Sequence, residues 1–310
     1  MKLLDFYKKY PTEQSCRKAL KKIREKEGIR CSKCGNETHY WKKKREEWEC
    51  KKCSHRTRLR VGTVMENSKL PFQYWFIAMH LITSTKKTIS AKEVQRQLGH
   101  NRYEPIWAMM HKLRLVMGIR DGNYTLSGEV ELDEGFFETV SITRDKTKSL
   151  KRGKGSQKQT TVLVSVESET ITDDKIIQKY KIKKRVGYLK MKVIDSLKKK
   201  DISDYAEELI DTGTCVVTDG SNSYNDLHEN YKHNPRVVPK KEIVKHLPWV
   251  HIVISNAKRL LLNTYHRIDD DFLQSYLNEF CFKFNRRYFD DLFNRLLITS
   301  VSYRWNYLGG

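Results

Sequence analysis

Two Cys-x-x-Cys pairs, Cys31/Cys34 and Cys50/Cys53, stand 15 residues apart, and nothing else in the chain restricts local folding as tightly. Two knuckles at this spacing deliver four thiolates to one tetrahedral zinc ion. A segment this short has little core, so the metal would supply much of its folding free energy. A redox dithiol pair is the competing reading, although redox motifs rarely come as two such pairs. His39 and His55 lie nearby and are not needed to complete the shell. Between the knuckles, WKKKREEWECKK interleaves Trp41 and Trp48 with cations. That pattern suits a β-ribbon with one packed face and one face open to phosphates, or equally a solvated charged face.

The other cysteines, Cys16, Cys215 and Cys281, sit in apolar contexts, as expected in a reducing compartment. The first residues lack the uncharged apolar core of a signal peptide, and no apolar run approaches membrane-spanning length. Sixty Lys and Arg against 38 Asp and Glu give a net charge of +22 spread along all 310 residues. A polyanionic partner follows, with nucleic acid first among candidates. The expected location is therefore cytoplasmic and nucleoid-associated, with no membrane partner.

The length accommodates two or three domains. Residues 11–27 space Cys16, Ala19, Leu20 and Ile23 as one short amphipathic helix before the cysteine module, so residues 1–62 form the first expected unit. Residues 63–125 read as mostly helical. Ser90 and Glu93 make a capping box for a helix stopping at Gly99, and Ile106, Met110, Leu113 and Met117 stripe the next. Two helices joined by Gly-His-Asn-Arg suggest a helix-turn-helix whose recognition helix begins near Asn101, with Asn101 and Arg102 reaching base edges; three-helix packing without a DNA role is the alternative. From Ser127 the pattern turns to strands, over 130–137, 160–166 and 179–186. A helix over 191–199, a buried strand over 214–218 and a long helix after Pro248 follow. This order predicts an α/β fold with a ribonuclease-H-like domain over 126–310. The Gly-, Ser- and Lys-rich run 146–158 reads as a hairpin loop suited to a phosphate backbone.

Two carboxylates carry the chemistry. Asp219 directly follows the apolar run Cys215-Val216-Val217, at a strand's carboxyl end, where α/β sheets gather ligands. Asp133 lies on the first strand, where Val130 and Leu132 face one way and Glu131, Asp133 and Gly135 the other. Glu131 competes with it for the same role. Carboxylates converging from separate elements can hold two divalent ions about 4 Å apart for phosphodiester cleavage. In the helix after Pro248, Val253, Ala257, Leu260 and Leu261 form the buried stripe, and Asn256 falls at its border. That border position turns Asn256 towards the sheet, though a helix-border Asn is more often a structural hydrogen-bonder. Lys258 and Arg259 flank the stripe and are placed to grip DNA.

The cysteine module, the helical segment, GEVELDEGFFE, VVTDGSNSY, HLPWVHIVISNAKRLLLNTYHRI and YLNEFCFKFNRR, in that order, resemble the insertion-sequence transposases of the fifteen-ninety-five, or ISXO-like, family over nearly the whole chain. The resemblance implies an Asp-Asp-Glu or Asp-Asp-Asn triad, here Asp133, Asp219 and Asn256, holding Mg2+ or Mn2+. A neutral amide oxygen binds such an ion with less charge neutralisation than a carboxylate gives. Lys258 belongs to the resemblance, and His251 in the same motif is expected to contact DNA or position a phosphate, unless it is a buried hydrogen-bonding histidine. By implication the protein binds the terminal inverted repeats of its element through zinc ribbon and helix-turn-helix. It then cleaves the ends and joins them to target DNA, as a homodimer or higher oligomer. The alternatives are a non-catalytic zinc-ribbon DNA-binding regulator derived from such a transposase, and a nuclease acting on RNA-containing duplexes.

Overall fold

The computed structural model describes residues 1–140, 156, 158–172, 177 and 183–302; apart from Ser156 and Lys158, the expected loop 146–158 lies outside them. The chain divides into two compact units, Met1–Arg120 with Tyr288–Gly310, and Asp121–Arg287. This cut differs from the three-way division expected above, because ribbon and helices fall in one unit and the last residues return to it.

In the first unit, α1 (Leu3–Lys9) precedes the expected helix α2 (Glu13–Glu27). Thr12 and Ser15 close a capping box on α2, which buries Cys16 and Leu20. The strands β1 (His39–Lys42), β2 (Glu47–Cys50) and β3 (Arg56–Arg58) form an antiparallel ribbon. Trp41 and Trp48 pair across it with ring centroids 4.8 Å apart. Lys21 and Arg24 of α2 lie over these rings at 4.8 and 5.0 Å, and Trp48 Nε1 donates to Glu25. The tryptophan face is thus a packing face, while Lys43, Lys44 and Arg45 at the hairpin tip are exposed.

Three helices follow: α3 (Phe72–Ser84), α4 (Ala91–Leu98) and α5 (Glu104–Asp121). Ser90 caps α4 by accepting the Glu93 N–H at 3.1 Å, and α4 ends where Gly99 turns left-handed at φ +63°. Because α5 begins only at Glu104, Asn101 and Arg102 lie in the exposed turn before it instead of opening the helix.

The second unit is built on β4 (Glu129–Glu138), β5 (Gln159–Thr170), β6 (Lys184–Val193), α6 (Lys199–Leu209), β7 (Cys215–Asp219), a 3-10 helix (Asn222–Glu229) and β8 (Lys232–Arg236), then α7 (Lys240–His246), α8 (Pro248–Thr264) and α9 (Asp270–Asn285). The sheet order is β6-β5-β4-β7-β8, with β4 antiparallel to β5 and parallel to β7. That mixed order is ribonuclease-H-like, as expected. One face of the sheet buries Val130, Leu132, Leu163 and Val216 against Ile202, Tyr205 and Ala206 of α6. The other buries Val162, Val164 and Val217 against Val250, Val253, Ala257 and Leu261 of α8.

Two expectations shift. The third strand starts later, and its alternation of Leu189 and Met191 inward continues to Val193, so the helix expected over 191–199 starts only at Lys199. β8 was not foreseen because it is polar and contains Pro235, which an edge position tolerates. The motif ending YLNEFCFKFNRR has a packing explanation. Asn285 exchanges two 2.9 Å hydrogen bonds with the Leu189 backbone, and Arg286 pairs with buried Asp121 at 2.5 Å. Arg287 donates to the Gly187 and Val186 carbonyls, so the end of α9 covers the β6 edge. Beyond α9 the chain returns to the first unit as α10 (Leu292–Ser302), where Val64 N–H donates to Ser300 O at 3.1 Å and Phe293 meets the Phe6 ring at 5.6 Å.

Candidate active site

One face of β4 meets α8 in step. Glu131 Oε2 accepts the Trp249 and Val250 N–H groups at 2.8 and 2.9 Å, satisfying two otherwise orphaned donors at the start of α8. Two residues on, Asp133 Oδ2 lies 3.6 Å from His251 Nδ1. Gly135 comes next, where a Cβ would crowd the Phe137 ring at 3.1 Å and touch Ile254 of α8 at 3.4 Å. Phe137 ends the series with Lys258 Nζ 5.6 Å from its ring. Burial lifts the Glu131 carboxyl to about 7, against the pull of the two amides. Glu131 is thus committed to capping α8, and Asp133 is the carboxylate of this face that lies beside His251.

β4 and β7 pair in parallel with Glu129, Val130 and Glu131 opposite Cys215, Val216 and Val217. Carried two residues further, that register sets Asp133 beside Asp219, on strands about 4.8 Å apart. Asp219 Oδ1 accepts the Ser221 N–H at 3.0 Å, which orders the turn after β7. From the opposite face, the Tyr224 hydroxyl donates to Glu134 Oε2 at 2.7 Å. Burial, then the charges of Glu134, Asp133 and Asp219, hold the Tyr224 hydroxyl well above its ordinary pKa. Asp133 and Glu134, midway along β4 and on opposite faces, thus neighbour Asp219 at the carboxyl end of β7. Glu134 is a neighbour that strand alternation concealed, since it points away from Asp133.

Of the α8 residues expected here, His251 and Lys258 face the carboxylates and Asn256 does not. Seven residues separate His251 from Lys258, about 20° around the helix, whereas Asn256 sits about 140° from His251. Asn256 is exposed and takes the opposite border of the buried stripe. His251 is half-buried; burial lowers its pKa while Asp219 pulls the other way, and its Nε2 is buried without a hydrogen-bond partner. Burial also lowers Lys258, with Glu138 and Asp133 opposing. Arg259 is exposed.

The four cysteines fit a metal directly. Cys31 and Cys53 Sγ are 3.6 Å apart and Cys34 and Cys50 Sγ 3.5 Å, close to the edge of about 3.8 Å that four Zn–S bonds of ~2.3 Å give a tetrahedron. The Cys31 and Cys50 N–H groups donate to Asn36 O and His55 O, forming the two knuckles, and His55 Nε2 contacts Ser32 instead of the thiols. Among the described residues, only these cysteines and Asp269, Asp270 and Asp271 gather donor atoms within 4.8 Å of one another. The three aspartates open α9, where Asp269 accepts the Asp271 N–H. Asp133, Asp219 and His251 are not among these groups.

A mixed five-stranded sheet of the order β6-β5-β4-β7-β8, with helices on both faces, defines the ribonuclease-H-like class. Residues 125–285 match the ISXO2-like transposase domain and residues 11–56 the transposase zinc-ribbon domain. The chain belongs to the ISXO2-like transposase family, a nuclease and transferase kind of enzyme. No curated protein matches it. Among solved structures it resembles the Mos1 strand transfer complex at 13% identity and TM-score 0.29, covering 78% of this chain and 82% of the other. A pre-cleavage Mos1 transpososome follows at 11% and 0.27, covering 77% and 82%. Neither likeness is close enough to bear on the site. Among the described residues no helix is long and apolar enough to cross a membrane.

Proposed function

We propose that Asp133 and Asp219 form the catalytic centre of a metal-dependent DNA transposase that cleaves the ends of an insertion sequence and joins them to target DNA. The observation that supports this reading is the parallel register of β4 and β7, which, continued two residues past Glu131 and Val217, brings mid-strand Asp133 level with Asp219 at the end of β7. The carboxylate oxygens of Asp133 and Asp219 are the donors that would hold a hard divalent cation such as Mg2+ or Mn2+. When bound, such ions activate the attacking oxygen and stabilise the leaving one.

The chain's own residues supply position and charge. Glu131 fixes the start of α8 against β4, and with it the side chains that α8 presents to Asp133. Lys258, beside Asp133, balances the carboxylates and meets the phosphate of the strand being cut; exposed Arg259 adds a second cation. The zinc ribbon, with its exposed Lys43, Lys44 and Arg45, and the turn bearing Asn101 and Arg102 bind the terminal inverted repeats of duplex DNA. Zn2+ on Cys31, Cys34, Cys50 and Cys53 keeps the ribbon folded. Two ends must be joined, so the working form is a homodimer or larger.

Labelled element ends with Mg2+ or Mn2+ test the proposal. Asp133→Ala and Asp219→Ala should each abolish cleavage and joining while end binding persists. An active Asp219→Ala protein would overturn the assignment. Specific binding by the unaltered protein without cleavage under either metal would favour the regulator instead.

A further inference from the structure

Each of the two aspartates has one oxygen engaged by a backbone amide. Asp133 Oδ1 accepts the Glu134 N–H at 2.8 Å, and Asp219 Oδ1 accepts the Ser221 N–H at 3.0 Å. These bonds orient each carboxylate on its own strand and do not tie one to the other. The register of β4 and β7 ends at Glu131 and Val217, two residues short of both aspartates. A side-chain bond spans that stretch. Ser221 caps the 3-10 helix after β7, its carbonyl accepts the Tyr224 N–H at 3.1 Å, and the Tyr224 hydroxyl reaches back to β4 to donate to Glu134 Oε2 at 2.7 Å. A continuous hydrogen-bonded route therefore runs from Asp133 through Glu134, Tyr224 and Ser221 to Asp219. The Tyr224 ring is fully buried in the cluster that holds Leu132 and Val216, and close packing there fixes where its hydroxyl lies.

We propose that Tyr224 and Glu134 are positioning residues that hold Asp133 and Asp219 at the spacing divalent-cation binding requires; this rests on the metal-dependent reading above. Glu134 leaves β4 on the face away from Asp133, so its side chain acts from behind the site. Bonding to Tyr224 anchors the Glu134 backbone, and the Glu134 amide in turn aims the Asp133 carboxylate. Hydrogen-bond partners behind metal-holding carboxylates typically matter about 10- to 100-fold in metal affinity.

Mn2+ binding to the full-length, zinc-loaded protein, followed by calorimetry, tests this apart from turnover. Tyr224→Phe removes one oxygen and keeps the ring; it should bind Mn2+ about 10- to 100-fold more weakly, and its cleavage of element ends should recover as Mn2+ is raised. Glu134 is half-buried, so Glu134→Ala tests the same link without opening the core, and it should lose as much. The two changes together should cost no more than either alone, because they break one bond. Glu134→Gln keeps an acceptor for the hydroxyl and should retain most of the affinity. Unchanged Mn2+ affinity in either Tyr224→Phe or Glu134→Ala overturns the inference and leaves the bond a packing contact. Equal losses in Glu134→Gln and Glu134→Ala also overturn it, since the charge of Glu134 would then be the requirement. Asp219→Asn separates the two layers of argument: if it abolishes Mn2+ binding while Tyr224→Phe does not weaken it, only the positioning role fails. If neither change affects binding, the metal-dependent reading fails with it.

Discussion

Glu131 and Asp133 share one face of β4 two residues apart, yet the start of α8 gives them different work. Glu131→Ala should leave two helix-end N–H groups without an acceptor and lower the stability of the catalytic unit by roughly 1–2 kcal/mol, read as a fall in melting temperature. Glu131→Gln keeps an acceptor oxygen and should melt nearly as the unaltered protein does. A catalytic Glu131 would give the other pattern, with Gln inactive at unchanged stability. Strand alternation in the sequence put both acids on one face and could go no further, because only the position of the helix assigns them. The same limit governs α8. Helical periodicity finds the buried stripe and its two borders, but the border that meets β4 depends on how the helix is rolled. Asn256 and His251 occupy opposite borders, and the roll brings His251 beside Asp133 while Asn256 stays exposed.

Single elements depend on a few buried charges. Arg286, at the end of α9, is the cation that compensates Asp121, and both are under a tenth exposed. Burial lifts the Asp121 carboxyl above its ordinary range even against that partner. Arg286→Ala should destabilise the catalytic unit by about 3–5 kcal/mol in denaturant titration, since it strands a buried carboxylate. Arg286→Ala with Asp121→Asn should recover part of that loss. In α5, His111 is pushed down from 6.5 to about 3, by burial first and by Arg114 second. The folded helix therefore keeps His111 neutral while the unfolded chain takes up a proton below about 6.5. Stability of the first unit should fall as pH drops from 6.5 towards 3, and His111→Gln should flatten that slope in melts at stepped pH. Elements with a plain period, such as β4, β5, β7, α4 and α8, could be read from the sequence. β6 could not be placed because its lysines alternate with apolar residues in a run that also fits a helix, and β8 has no apolar period at all.

At the scale of the whole chain, the ribbon was legible because four cysteines at set spacing leave one geometry, whereas the division into two units was not. No periodicity reveals that α10 packs with α3, since an apolar stripe does not name its partner. α10 buries Phe293, Leu296, Leu297 and Ser300 in the first unit. Ending the chain after Arg287 should therefore unfold the helical unit, lower zinc retention and remove end binding, while the catalytic unit keeps its own cooperative transition. If the truncated protein held zinc and bound ends normally, the assignment of α10 to that unit would be wrong.

This arrangement has a consequence for synthesis. The ribbon and its helices are translated before the catalytic unit but lack α10, their closing helix, until that unit has been made. The two ends of the first unit thus meet only after the whole of the second has left the ribosome.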